Sequence, residues 1–231
     1  GPAIDYERFN HLNDRTKMTG EWLAFCQSCP VPEIANVFQR CRIPFFQVTG
    51  VLENDPIAWG EITDWIDAAR VARVMEHNRL GLMGHYYGGM LDIYSDLTQQ
   101  CAYFGGHIEM LEVEELASLR SEVSQAEATS KVEEFRASFD IRPDCPHHEL
   151  LRAARTSVAL DRMAERHKLG SLAYYHQGSG SAEHEDVITS IILGTSLLTA
   201  RGIPVAGEYE VKNAQAMKIL DPARARAALT W

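Results

Sequence analysis

The chain has 231 residues, of which 45% are hydrophobic, and a formal net charge of −10. This length suits one large or two small domains with a sizeable core. No apolar run is long enough to predict a transmembrane helix, and no signal peptide is visible. The acidic charge, without a basic stretch to offset it, disfavours a nucleic-acid partner. Five cysteines, an odd number, favour a reducing compartment, so a cytoplasmic location is predicted.

The first motif in chain order is the C-x-x-C formed by Cys26 and Cys29, with Cys41 further on. A structural zinc site usually needs a second pair of ligands, which the sequence lacks. A redox motif would follow a strand, whereas residues 21–28 have a helical pattern. We favour two thiols packed along a helix, with a metal or redox role as the alternative.

Short apolar runs alternate with longer amphipathic stretches along the chain. The runs predict strands at residues 45–48, 80–83, 107–111, 171–175 and 203–206. Helices are predicted at residues 57–75, 90–104, 146–169 and 186–201, with exposed helices in the charged stretch 112–139.

The alternation predicts an α/β fold: a parallel, Rossmann-like (doubly wound) sheet with helices on both faces. We expect a domain boundary near Asn78, where a long helix ends and a new βαβ series begins. Residues 1–78 would then be the C-terminal part of an N-terminal α/β domain, and residues 79–231 a central α/β domain.

Ligands in such sheets bind beyond the carboxyl ends of the strands, and the loop GHYYGG follows one predicted strand. It lacks the G-x-G-x-x-G dinucleotide fingerprint. His85, Tyr86 and Tyr87 instead offer ring faces and hydroxyls that suit a polyol. The alternative is that Tyr86 and Tyr87 only cover the edge of the sheet.

A second loop, YYHQGSGSAEHED, begins at Tyr174 and ends in an acidic cluster at residues 183–186 that includes His184. The cluster could bind a metal. More often, acidic residues ahead of a helix interact with its N-terminal dipole, and we favour that interpretation.

The third loop, GIPVAGEYEVKNA, places Glu208 and Glu210 where an apolar run stops. The two side chains would share a face if the strand continued past Gly207. A carboxylate at a strand end can bind a hard divalent cation or act as a general base. Alternatively, Glu210 caps the helix that begins at Val211.

Three segments resemble consecutive parts of the L-arabinose isomerase and L-fucose isomerase family: GHYYGGMLDIYSDLTQQCAYFGGHIEMLEVEEL, ARTSVALDRMAERHKLGSLAYYHQG and GIPVAGEYEVKNAQAMKILD. The stretch AIDYERFNHLNDRTKMTGEWLAFCQSCPVPEIANVF is similar to the part that precedes the central domain of those enzymes. The resemblance runs from about Ala3 to Asp221.

The resemblance implies a metal-dependent aldose–ketose isomerase that works through an enediol, with Mn²⁺ as the typical cation. The family uses two glutamates and two histidines, and its first glutamate matches Glu208, which would be a metal ligand and an acid/base group. Glu210 would be a neighbour and not a ligand. The substrate-binding residues would come from the two tyrosine loops: His85, Tyr86, Tyr87, Tyr175, His176 and Gln177.

This sequence also departs from the family pattern. The family's Gly-Gly-Ser-Phe-x-Glu segment, which carries the second glutamate, does not follow Asp221, and the first strands are missing ahead of Ala3. We therefore expect the central portion of an isomerase, truncated at both ends, with one of four ligands and little activity by itself. Family members are homo-oligomers, typically hexamers. The alternative function is a non-catalytic sugar-binding or assembly module with the same fold.

Overall fold

The computed structural model describes residues 5–11, 13–25, 30–51, 53–178 and 180–228, without side chains for residues 25 and 222–228. The Cys26 and Cys29 pair lies outside these residues, so its interpretation stays a prediction. The chain divides into two compact units, Gly1–Ala68 and Ala69–Trp231. The division falls ten residues before the predicted boundary at Asn78, inside a long helix.

All the regular secondary structure of unit 1 is helical in the residues that the structure describes. Its helices are α1 (Tyr6–Asn10), α2 (Arg15–Phe25), α3 (Pro30–Arg40) and the first part of α4 (Pro56–Glu76). The Asp55 carboxylate starts α4 by accepting hydrogen bonds from the backbone N–H groups of Ala58 and Val51, both at 3.0 Å. This confirms the helix that was predicted at residues 57–75.

The strand predicted at residues 45–48 is wrong, because this segment has no regular secondary structure. Its aromatic side chains instead pack on neighbouring helices: the Phe46 and Trp65 rings lie 4.3 Å apart, and those of Phe38 and Phe45 lie 5.9 Å apart. An apolar run that packs its rings on helices looks the same in sequence as a buried strand.

Unit 2 contains the sheet, which confirms the α/β Rossmann-like fold class. Its strands are β1 (Arg79–Gly84), β2 (His107–Leu111), β3 (Ser171–Tyr175) and β4 (Val205–Ala206). All pairs are parallel, in the order β2-β1-β3-β4. The last strand is shorter than predicted and pairs only through Leu172↔Val205 and Ala173↔Ala206.

After the last part of α4, the α-helices of unit 2 are, in chain order, α5 (Leu97–Phe104), α6 (Val113–Ser121), α7 (Gln125–Ser138), α8 (His147–His167), α9 (Ala182–Thr189), α10 (Ile192–Ala200) and α11 (Val211–Ala228). None of the described helices is long and apolar enough to cross a membrane.

Three helix predictions need correction. The helix expected from residue 90 begins at Leu97, because the Asp96 carboxylate caps it there through the amides of Thr98 and Gln99. The helix expected over 186–201 is two helices, α9 and α10. The Ser190 hydroxyl donates to the Asp186 carbonyl oxygen at the break between them. The charged stretch 112–139 is helical but not simply exposed, since α6 and α7 bury residues that include Leu116 and Phe135.

Both faces of the sheet are covered by helices. On one face, Met83, Leu111 and Leu172 pack in a buried cluster with residues of α6, α8 and α10. On the other, Leu80 and Leu82 pack with residues that lead into and line α11. This arrangement leaves the carboxyl ends of β1, β3 and β4 side by side at one edge of the unit.

Candidate functional site

The ends of β1 and β3 are joined closely at Gly84. The backbone N–H of His85 donates to the carbonyl oxygen of Tyr175 at 3.0 Å. Gly84 has a φ of +91°, and a Cβ atom at this position would lie 1.9 Å from the same oxygen. Only glycine fits here, and it brings the two predicted ligand loops against each other.

Aromatic rings fill the space between the loops. Tyr87 packs edge-on against Tyr175, with ring centroids 5.2 Å apart, and Tyr86 packs edge-on against Tyr209 at 4.7 Å. The ring of Tyr94 lies 4.9 Å from that of Tyr86. These tilted and edge-to-face pairs are favourable arrangements of aromatic rings. Tyr86 also packs against the buried cluster on the β1 face, so it helps to cover the sheet, as the alternative interpretation proposed.

Glu208 lies in a turn and not in an extended strand. The Glu210 backbone N–H donates to the Gly207 carbonyl oxygen at 3.0 Å, and both central residues have positive φ, +56° at Glu208 and +61° at Tyr209. This is the backbone geometry of a type I′ turn. Extension therefore stops at Gly207, and Glu208 and Glu210 do not alternate along a strand. Glu210 has one carboxylate oxygen that is buried without a partner among the described residues.

The backbone N–H of Tyr209 donates to the carbonyl oxygen of Tyr174 and so brings the turn that holds Glu208 next to the end of β3. Glu208 is exposed and makes no hydrogen bond or ion pair with another described residue. Burial raises the pKa of the Tyr175 hydroxyl, and the nearby Tyr87 and the negative charge of Glu208 raise it further. The Tyr175 hydroxyl donates to the side-chain oxygen of Gln177. Tyr87, Gln177 and Glu208 thus lie around Tyr175, and the ring of His85 packs edge-on against it with centroids 5.4 Å apart.

The imidazoles of the site lie in a row. The ring centroids of His85 and His176 are 5.9 Å apart, and those of His176 and His184 are 5.6 Å apart. Burial lowers the pKa of His176, and the neighbouring His184 and His85 lower it further, against the opposing effect of Glu185.

Sequence reasoning gave no separate role to His184 or Tyr209. His184 was considered only as part of the acidic cluster that ends the second loop. Tyr209 was overlooked because the strand pattern assigned importance to the glutamates on either side of it. A single sequence does not indicate that the ring of Tyr209 is buried next to Tyr86.

The acidic cluster at residues 183–186 does not converge on one point. Asp186 pairs with Arg120 and Arg152, while His184 pairs with Glu114 at 2.6 Å. Glu183 and Glu185 occupy the first turn of α9. This arrangement agrees with the favoured interpretation, in which the acidic residues interact with the helix N-terminus.

The fit of Mn²⁺ to this edge can be judged from the side chains present. Glu208 supplies one unpaired oxygen ligand, but the described residues contain no group of three or more His, Cys, Asp or Glu side chains that could hold a metal ion. Manganese takes octahedral coordination by about six ligands. Glu208 by itself would fill one of these positions.

A scan against protein-family models and a search of curated proteins find no match to this chain. The relation to the isomerase family therefore rests on the sequence segments quoted above and stays a hypothesis.

Proposed function

We propose that this edge of the sheet binds a small sugar, and that the chain is an aldose–ketose isomerase of the L-arabinose or L-fucose type with Glu208 as its proton-transfer group. The observation that carries the proposal is the position of Glu208. Its exposed carboxylate lies in a strained turn beside Tyr175, on an edge that also gathers His85, Tyr87 and His176.

The strain supports a functional role for the turn. A left-handed backbone conformation costs a residue other than glycine about 1 kcal/mol or more, and here two such residues are adjacent. A turn selected for stability alone would have asparagine and glycine at these positions. The presence of Glu208 and Tyr209 at these strained positions is expected if the Glu208 carboxylate has a chemical function.

A carboxylate at this place can perform the proton transfer of an aldose–ketose isomerisation. Glu208 removes the proton from C2 of the open-chain aldose, the C–H electron pair forms the C1=C2 double bond, and O1 takes up a proton from solvent water to give the enediol. The carboxylic acid then returns its proton to C1 while O2 loses its own proton to the solvent, which yields the ketose. One base can serve both carbons because they are adjacent.

The rings and amide around Glu208 suit a neutral polyol. Tyr87 and Tyr175 present aromatic edges and hydroxyls, and Gln177 presents an amide next to the Tyr175 hydroxyl. Sites built from a few polar groups on a rigid aromatic framework bind small molecules with a fixed orientation.

The remaining expectations belong to the same proposal. We propose Mn²⁺ as an added cation with Glu208 as one ligand, and no step above depends on it. We also propose a homo-oligomer in the cytoplasm, from the family resemblance and from the odd number of cysteines. Sedimentation of the chain at several concentrations tests the oligomer.

The test measures ketose formation from L-arabinose and L-fucose, with and without Mn²⁺, for the wild type, Glu208→Gln and the exposed control Glu122→Gln. We expect slow turnover, because the described residues supply one acid/base carboxylate at the edge. Turnover should be lost in Glu208→Gln and retained in Glu122→Gln. Turnover unaffected by Glu208→Gln would remove Glu208 from the mechanism.

The second candidate is a non-catalytic sugar-binding module, which the aromatic edges and hydroxyls of Tyr87 and Tyr175 would suit equally well. Calorimetry with both sugars in EDTA separates the two candidates. Metal-independent binding that is lost in Tyr87→Ala, with no turnover under any condition, would support the module and exclude the isomerase.

A further inference from the structure

Three imidazoles connect the candidate site with helix α6 on one side of the sheet. His85 lies at the exposed end of β1, His176 follows β3, and His184 lies in the first turn of α9. The row ends at Glu114 of α6, whose carboxylate is 79% exposed, whereas the His184 side chain is only 19% exposed. The row therefore leads from the site, past a half-buried ring, to a carboxylate on the surface.

The hydrogen bonds fix the ring orientation at both ends of this row. His184 donates from Nε2 to the Glu114 carboxylate at 2.6 Å, because a carboxylate can only accept. His85 donates from Nδ1 to the Tyr86 carbonyl oxygen at 2.9 Å, because a backbone carbonyl can also only accept. Such second partners orient an imidazole and determine which nitrogen carries the proton.

The central ring differs from its neighbours. Nε2 of His176 is buried and has no hydrogen-bond partner among the described residues. No hydrogen bond from that atom orients the ring, which is instead packed between His85 and His184. A buried polar atom without a partner costs free energy, and a ligand hydroxyl that reached it would recover that cost.

We propose that Glu114 is a positioning residue of the candidate site: through His184, it holds the ring of His176 in the orientation that meets a ligand hydroxyl. The ligand part of this inference rests on the proposed function, whereas the positioning part does not. Neither Glu114 nor His184 was among the site residues predicted from the sequence.

The charges around His176 agree with this arrangement. His85 from the loop after β1 and His184 from α9 lie against the ring and disfavour its protonation, Glu185 of α9 favours it, and Glu114 lies behind His184. Burial is the largest cause of the lowered pKa of His176. Any change that lets the His184 ring turn away should expose His176 and weaken this effect.

The first test follows the His176 resonances by NMR from pH 4 to 8, assigned with a His176→Asn variant. Glu114→Ala should raise the pKa of His176 toward the ordinary value of 6.5. Glu114→Gln should keep the wild-type value, because the amide oxygen can still accept from His184. Glu122→Gln removes an exposed charge from the end of the same helix and should change nothing. An unchanged His176 pKa in Glu114→Ala would overturn the positioning role.

The second test measures L-arabinose and L-fucose binding by calorimetry at pH 7.5 for the same variants. Glu114→Ala should weaken binding about fivefold, which corresponds to the loss of one neutral hydrogen bond. Glu114→Gln should bind with the affinity of the wild type. Equal affinity of Glu114→Ala and the wild type would exclude a role in ligand binding. If the wild type binds neither sugar, the proposed function fails, while the NMR titration still decides the positioning role.

Discussion

The backbone N–H of Tyr209 donates a hydrogen bond to the carbonyl oxygen of Tyr174, 2.9 Å away, and so joins the turn after β4 to the end of β3. Strand β4 has only two residues, Val205 and Ala206. The hydrogen bond and the buried ring of Tyr209 together hold a turn that its own residues disfavour. Glu208 is placed by this arrangement and not by contacts of its own side chain.

Replacing Glu208 should reveal the strain in the turn. Asparagine tolerates positive φ better than other residues with a side chain, so Glu208→Asn should raise the free energy of unfolding by about 0.5–1 kcal/mol. Glu208→Ala is the matched control, since it removes the carboxylate and keeps the strained geometry. Urea unfolding of the variants measures the difference, and an Asn variant that is no more stable than the Ala variant would contradict the prediction.

Gly84 should be the least replaceable glycine of the site. A Cβ atom there would clash with the Tyr175 carbonyl oxygen, and the positive φ adds backbone strain, so Gly84→Ala should cost about 2 kcal/mol or more. Gly88→Ala is the control in the same loop, because no atom lies within 4 Å of its Cβ position. We expect the control to change stability by about 0.5 kcal/mol or less in thermal and urea unfolding. Similar effects of the two substitutions would show that β1 and β3 are not in close contact.

The ring of Tyr209 should make stability sensitive to alkaline pH. Burial raises the pKa of Tyr209 to about 12, with smaller contributions from Tyr86 and Glu112, whereas the ordinary value is 10.0. Between these two values the unfolded chain loses the proton and the folded chain keeps it, so the free energy of unfolding falls as the pH rises.

Tyr209→Phe removes this group, and its stability should decline less between pH 10 and pH 12 than that of the wild type. Urea unfolding midpoints at half-unit pH steps provide the comparison. Tyr103→Phe changes a 77% exposed tyrosine and should follow the wild type. A wild type and a Tyr209→Phe variant that decline in parallel would exclude Tyr209 as the cause.

The parts of the fold that follow from hydrophobic periodicity could be predicted. The runs that became β1 and β3 are largely buried apolar segments between helices, and β2 pairs beside β1 although parts of it are exposed. The parallel pairing of β1 with β3 brings the ends of these two strands together. For this reason the grouping of Tyr87 with Tyr175 could be foreseen from two loops that lie far apart in the sequence.

The local features that depend on tertiary contacts could not be predicted. Glu208 and Tyr209 lack the asparagine–glycine signature of a type I′ turn, so nothing in the sequence indicated this turn after the predicted strand. The break at Ser190 depends partly on a hydrogen bond with Thr156 of α8, at 2.7 Å. The pairing of His184 with Glu114 joins residues that only the folded chain brings together.

The parallel sheet order has a consequence for any molecule that occupies this edge. A ligand that contacts Tyr87, Tyr175 and Glu208 at once would bridge the ends of β1, β3 and the turn after β4, and so act as a reversible cross-link between three distant parts of the chain. Since it would bind the folded chain alone, its presence should raise the melting temperature, and at a fixed concentration a tighter ligand should raise it more. A thermal-shift screen of sugars would then rank candidate ligands without requiring turnover.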